Sequence, residues 1–269
     1  MKSRIITAAV LLPILLVIVL LAPKSVAAVI YGLLLSVAAY EMLCRTGLVN
    51  HPRLNIYSCI MAFMMSIWSC FSGRSSWLMI AIMVFLAFLF GEMMLDHVRV
   101  RFDAIAMCLV GGFLVPYLLS AVIRILSLTL GRYLVLLPFV VAFVSDAGAY
   151  FVGRRYGKHK LSPVVSPNKT LEGSLGGIAA AIVGTVLYVI VLQILSFRVN
   201  YLLAILYGIL GSVAGSFGDL CFSVIKRQTG LKDYGNLIPG HGGVLDRFDS
   251  MVFVAPLMEA LLAIIPVAV

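Results

Sequence analysis

The chain has 269 residues, 62% of them hydrophobic and 12% charged, with a mean hydropathy of +1.12 and a formal net charge of +9. Soluble domains are about 45–50% apolar by a similar count, so this composition excludes an ordinary water-soluble enzyme and puts the chain in a bilayer. The basic excess needs no nucleic acid to explain it, because cytoplasmic loops of membrane proteins carry Lys and Arg, and anionic headgroups favour them.

A spanning helix needs about 20 mostly apolar residues. Nine such runs follow one another: Ile5–Leu21, Val26–Leu43, Tyr57–Phe71, Trp77–Leu95, Ala104–Ile123, Tyr133–Phe151, Ser174–Leu195, Tyr201–Ile225 and Met251–Val269. The first, behind Lys2 and Arg4, has the look of a signal peptide. It is longer than a usual apolar signal core and a second run follows at once, so it reads as a retained span. The third is short and reads as a poor span or an interfacial helix. Strand-like alternation is absent, which disfavours a β-barrel. The expected fold is therefore all-α: a polytopic integral membrane protein with about nine transmembrane helices. The five cysteines form no CxxC pair and suggest neither a metal site nor a disulfide framework.

Charge gives the orientation. If the runs are spans, fifteen of the 20 Lys and Arg fall at the N-terminus and in the even-numbered loops. The N-terminus and those loops should then be cytoplasmic and the C-terminus outside.

Acids in apolar runs are costly and point to function. In the sixth run, Asp146 and Tyr150 share a helical face, and Arg154 and Arg155 stand at its end. Next, "LSPVVSPNKTLEGS" holds two Ser-Pro steps that favour extended backbone. Lys169 then stands just before Thr170, a helix start suited to an anion. In the eighth run Ser212, Ser216, Asp219, Ser223 and Lys226 recur at helical spacing. Gly208, Gly211, Gly215 and Gly218 beside them suit a close helix seam. The seam leaves Asp219 unexplained, because a buried carboxylate needs a cation. Then "YGNLIPGHGGVLDRFDS" breaks helix with Pro239 and its glycines. Its turn, with Gly242 and Gly243, would let backbone N–H groups approach an anion. Asp246 and Asp249 follow, three apart, on one face. Carboxylates fit to bind Mg²⁺ beside basic groups are ordinary parts of phosphoryl-transfer sites. The plainer alternative is that Asp246 caps the last helix.

The stretch Ser223–Asp249, "SVIKRQTGLKDYGNLIPGHGGVLDRFD", resembles the signature of the phosphatidate cytidylyltransferases, also called CDP-diacylglycerol synthases. "SDAGAYFVGRRYGKHKLSP" with "SPNKTLEG" carries a second feature of that family. The resemblance covers roughly residues 145–249, so residues 1–130 are expected to be lipid-embedded helices and 131–269 the catalytic region. It implies transfer of CMP from CTP to phosphatidic acid, releasing pyrophosphate. Mg²⁺ is then expected on Asp219, Asp246 and Asp249, with a second cation left open. Lys169, Lys226 and Arg227 would be catalytic. Ser223, Lys232, His241, Gly242, Gly243, Arg247 and Asp146 would line the substrate site, with His241 equally suited to a structural part in the turn. A homodimer in the inner membrane of a bacterium is also implied. Two other readings are a cytidylyltransferase for a different lipid phosphate, and an ion-coupled transporter using Asp219 and Asp146. The sequence lacks the matched pair of broken helices that the transporter reading would favour.

Overall fold

The computed structural model describes residues 17–71, 75–237 and 242–268. The first expected span, Ile5–Leu21, lies outside the described residues except for its helical end at 17–21. The chain is an all-helical, multi-pass membrane protein. Among the described residues six helices are long and apolar enough to cross a membrane: Lys24–Arg45, Ser76–Leu95, Phe102–Ile125, Gly131–Tyr156, Leu171–Ile194 and Tyr201–Gln228. We label the elements α1 (Lys24–Arg45), α2 (Pro52–Cys70), α3 (Ser75–Leu95), α4 (Phe102–Ile125), α5 (Leu136–Tyr156), β1 (Lys160–Ser162), β2 (Ser166–Thr170), α6 (Leu171–Ile194), α7 (Tyr201–Gln228), α8 (Leu245–Phe248) and α9 (Met251–Ile264). The third apolar run is a full 19-residue helix, α2, begun five residues earlier than expected because Pro52 suits the first helical turn. The last run yields only the 14 residues of α9.

The chain divides into two compact units at Ser127/Leu128, Arg227/Gln228 and Phe248/Asp249, the described residues up to Ser127 and from Gln228 to Phe248 falling in the first and the remaining described residues in the second. In the first, α1 and α2 pack closely and exchange polar contacts through their backbones. Ser66 Oγ donates to the Ala28 carbonyl at 2.7 Å and Ser36 Oγ to that of Cys59 at 2.9 Å. Such bonds let a serine-bearing helix sit among apolar neighbours without an unsatisfied hydroxyl. Leu43, Leu54, Met65, Leu89 and Ile105 belong to one buried cluster of this unit. Both α1 and α4 widen into a π turn, at Glu41–Arg45 and Leu109–Leu114. The two wide turns meet, since a Cβ on Gly111 would lie 2.8 Å from Leu43 Cδ2, and α2 packs beside them, since one on Gly112 would lie 2.6 Å from Ser58 Cβ.

The second unit is built on close backbone approach. On α5 and α6 small residues face each other: a Cβ on Gly148 would run into Ala180, and one on Gly176 into Val152. One on Gly173 would come within 2.9 Å of the Ala149 carbonyl. The glycines of α7 continue the pattern. Gly208 lies against Ile182 of α6, Gly211 against Met258 of α9, and Gly218 against the Asp249 carbonyl. The small-residue seam read from the sequence is thus real, and it draws α5, α6, α7 and α9 together around one another. Thr185 Oγ1 donates to Ala204 O at 2.8 Å, and the hydroxyls of Ser145 and Ser212 meet at 2.6 Å, both buried links between helices. Between α5 and α6 the Ser-Pro steps give an extended hairpin, β1 paired antiparallel with β2.

Gly148→Val should therefore destabilise the protein by about 1–3 kcal/mol or more, as overpacking does. Gly91→Ala, on α3 where a Cβ meets nothing within 4 Å, should be neutral or slightly stabilising. Thermal unfolding of the two variants in the same detergent checks the contrast.

Candidate active site

The polar groups of the second unit gather at the lower half of α7, at the hairpin and at the residue before α9. Helix α7 carries Asp219, half-buried, with Ser223 one turn on. Ser223 Oγ donates to Asp219 Oδ1 at 3.2 Å. The other oxygen, Oδ2, is held in an ion pair by Lys169 Nζ. Strand β2 delivers that lysine. Thr170, the next residue, ends the strand and caps α6 by accepting from Gly173 N at 3.1 Å. Glu172 ties the hairpin down, accepting from the amides of Lys158 and His159 and meeting His159 Nδ1 at 2.6 Å. The expected helix start is present, with a threonine cap inside it.

One helical turn further along α7, Lys226 Nζ stands 3.9 Å from Asp249 Oδ2, each side chain only 13% exposed. Asp249 Oδ1 accepts from the Ser250 amide at 2.9 Å. Burial pushes the Asp249 carboxyl above the usual carboxylate range, and the negative charge of Asp219 pushes it further. Lys226 opposes this and Asp146 adds to it. Three carboxylates are therefore close enough to feel one another, with two lysines among them. Asp146 itself is exposed on α5. Arg227 points its Nε at the Val165 carbonyl, 3.2 Å away, between the hairpin strands.

The glycine turn lies in the first unit. His241 is outside the described residues. Gly242 has φ +85°, a left-handed conformation that glycine adopts without strain. Asp246 is buried, and its Oδ2 accepts from Tyr234 N at 2.8 Å and Gly243 N at 2.9 Å. The next two amides, Val244 N and Leu245 N, go to Glu41 Oε1 at 3.1 Å and Oε2 at 2.9 Å. The Gly243 amide, in the turn expected from sequence to approach an anion, and the two amides that follow it thus face two carboxylates of the protein. Asp246 does not cap the last helix, whose N-cap is Ser250; it lies within α8 and ties Tyr234 and Gly243 together through their amides. Lys232 and Arg247 are exposed on either side of the turn.

Sequence reasoning missed Glu41. It ends an apolar run beside Arg45, where an acid looks like an interfacial residue. Only its partners, 203 and 204 residues away in the chain, reveal it.

Hard oxygen donors suit Mg²⁺, and gathered carboxylates in a poorly solvated place are what a divalent cation relieves. Asp219, Asp249 and Asp146 carry oxygen donors of that kind, and among the described residues no three such groups converge on a common point.

A multi-pass helical protein with paired lysines and aspartates at one end of a long polar-faced span is the class that emerges. Residues 2–265 match the model of the Cytidylyltransferase family, and the chain belongs to that family. It is similar to the phosphatidate cytidylyltransferase of Staphylococcus haemolyticus, 46% identical over 132 residues, which are 49% of this chain and 50% of that protein. The enzyme of the same name from Staphylococcus epidermidis is 48% identical over 132 residues, 49% of each chain. That of Bacillus subtilis is 48% identical over 125 residues, 46% of this chain and 45% of the other. The chain spans about half the length of the curated relatives it matches.

If Asp246 holds the turn, Asp246→Ala leaves two buried amides without an acceptor and should cost about 2–4 kcal/mol of stability. Asp246→Asn, which keeps one oxygen, should cost less. Thermal unfolding of both variants decides.

Proposed function

We propose that the protein transfers CMP from CTP to phosphatidic acid, giving CDP-diacylglycerol and pyrophosphate, at the cytoplasmic face of a bacterial inner membrane. A phosphate oxygen of the lipid attacks the α-phosphorus of CTP. The new P–O bond forms as the bond from that phosphorus to the β-phosphate bridge breaks, and pyrophosphate leaves. The relatives' names support the reaction. The observation that carries it to this chain is the pair of lysine–aspartate contacts, Lys169 with Asp219 and Lys226 with Asp249.

Two highly charged phosphate compounds must meet, and their repulsion has to be cancelled before in-line attack. Asp219 and Asp249, with Asp146 nearby, would hold Mg²⁺, which when bound neutralises triphosphate charge and polarises the reacting phosphate. With those carboxylates engaged, Lys169 and Lys226 lose their present partners and turn to phosphate oxygens. Arg227 adds positive charge beside the two lysines, and the family resemblance gives Lys232 and Arg247 a part in binding substrate. Ser223 keeps Asp219 oriented. Asp246, with Gly242 and Gly243, shapes the turn that carries Lys232 and Arg247. No side-chain nucleophile is needed, since a phosphate monoester is ionised at neutral pH. A second cation and a homodimer remain part of this reading through the family resemblance. Phosphatidate stays in the leaflet while CTP comes from water, so a polar site at the cytoplasmic end of α7 serves both.

Purified full-length protein given labelled CTP, phosphatidate and Mg²⁺ should form labelled CDP-diacylglycerol, and Asp219→Asn should lower turnover by about a hundred-fold or more. No lipid-linked label in the wild type would overturn the reading. Label transfer only to another lipid phosphate would redirect it. For orientation, His159→Cys should react with a membrane-impermeant thiol reagent only from the inner side.

A further inference from the structure

We infer that Glu41, on the first described span, is a positioning residue for the catalytic turn: it holds the start of α8 in place and through it sets Arg247. The inference rests on the reaction proposed above and assigns a part in it to the N-terminal half of the chain. Glu41 is 3% exposed and lies at the first residue of the π turn that ends α1. A carboxylate buried at the end of an apolar helix is too costly to keep without partners. Its partners are the amides of Val244 and Leu245, one to each oxygen. These are among the first N–H groups of α8, which have no acceptor within their own short helix. Glu41 thus supplies from a distant helix the cap that the sequence around α8 provides only for Gly243.

The surroundings are cut to this carboxylate. A Cβ on Gly235 or on Gly243 would run into Glu41 Oε1 or Oε2. Tyr31, on the same helix as Glu41, meets Phe248 edge-on with ring centroids 6.3 Å apart, so α8 is gripped at both ends by α1. Between the two grips stands Arg247, one residue beyond Asp246 and two beyond Leu245. The carboxylates divide the work: Asp246 joins Tyr234 to Gly243 through their amides, and Glu41 fixes the next two amides to the end of α1. Each oxygen of Glu41 accepts from a backbone amide, so its effect passes through the backbone it holds.

A second buried acid of the same unit serves as a control. Glu92, 7% exposed, accepts from Tyr57 Oη at 2.9 Å and pairs with Arg53 at 3.4 Å, and these groups hold no part of the turn. Its loss should weaken the fold without reaching CTP.

The test is steady-state kinetics with CTP varied, on full-length protein in detergent, below the unfolding temperature of every variant. Glu41→Gln keeps the reach but offers an amide NH₂ to one of the two backbone donors. It should raise the KM for CTP about ten-fold or more. Gly235→Ala, which keeps Glu41 and displaces it, should shift KM in the same direction. Glu92→Gln should lower the unfolding temperature and leave the KM for CTP unchanged. Because Glu41 acts through Arg247, Arg247→Lys combined with Glu41→Gln should cost less than the two separate losses multiplied. Wild-type KM values in both Glu41→Gln and Gly235→Ala, beside an active wild type, would overturn the inference. So would KM shifts of equal size in Glu92→Gln, which would mark a general loss of fold. An inactive wild type would instead strike the reaction proposed above.

Discussion

A carboxylate in the wall of an apolar helix has to be answered by a cation, and Asp219 on α7 is the residue on which the second unit turns. Left alone, its charge would oppose insertion and packing of the span that bears it. The lysine that meets it, Lys169, comes from outside the helices, on a short hairpin. That hairpin exists because two Ser-Pro steps keep the backbone extended, and it is fastened by Glu172 and by the Thr170 cap of α6. The same requirement explains the glycine face of α7. Only with backbones nearly touching can α5, α6 and α9 close around one polar stripe, and it is this closeness that brings Asp249 within reach of Lys226 and of the charge of Asp219.

A buried ion pair seldom adds much stability over an apolar pair, whereas removing one partner is expensive. The two lysine–aspartate contacts of this unit are therefore poor candidates for a purely structural device. On the reaction proposed above, metal and phosphate would replace lysine and aspartate as each other's partners. The first unit uses its acids differently. Asp246 and Glu41 spend their oxygens on backbone amides, and Glu92 spends one on a tyrosine and an arginine. The carboxylates thus divide into a set committed to backbone and side-chain donors of the first unit and a set paired with lysines in the second.

The helical membrane fold was legible in the sequence because spans are long, local and uniformly apolar. The α7 stripe and its glycine face were legible for a similar reason, since both obey a short helical period. Lys169 could be picked out by its place before Thr170, although nothing in the sequence named Asp219 as its partner. What stayed hidden depends on contacts across the chain. Glu41 reads as an ordinary acid at the end of a span until the amides of Val244 and Leu245 are seen on it. The π turns of α1 and α4 have no periodic signature, and their meeting at Gly111 and Leu43 is a tertiary fact. The capture of two amides by one oxygen of Asp246 was hidden too, because the sequence suggests at most a cap of the last helix and one donor, Tyr234, lies twelve residues back.

The proposed reaction requires Asp219 and Asp249 to take up a divalent cation. Thermal unfolding of the full-length protein against rising Mg²⁺, without CTP or lipid, tests it most directly, because a ligand that binds only the folded state raises the unfolding temperature. Mg²⁺ should raise it in the wild type, saturably, and Asp219→Asn or Asp249→Asn should remove the response. An undiminished response in both variants, or none in the wild type, would contradict it.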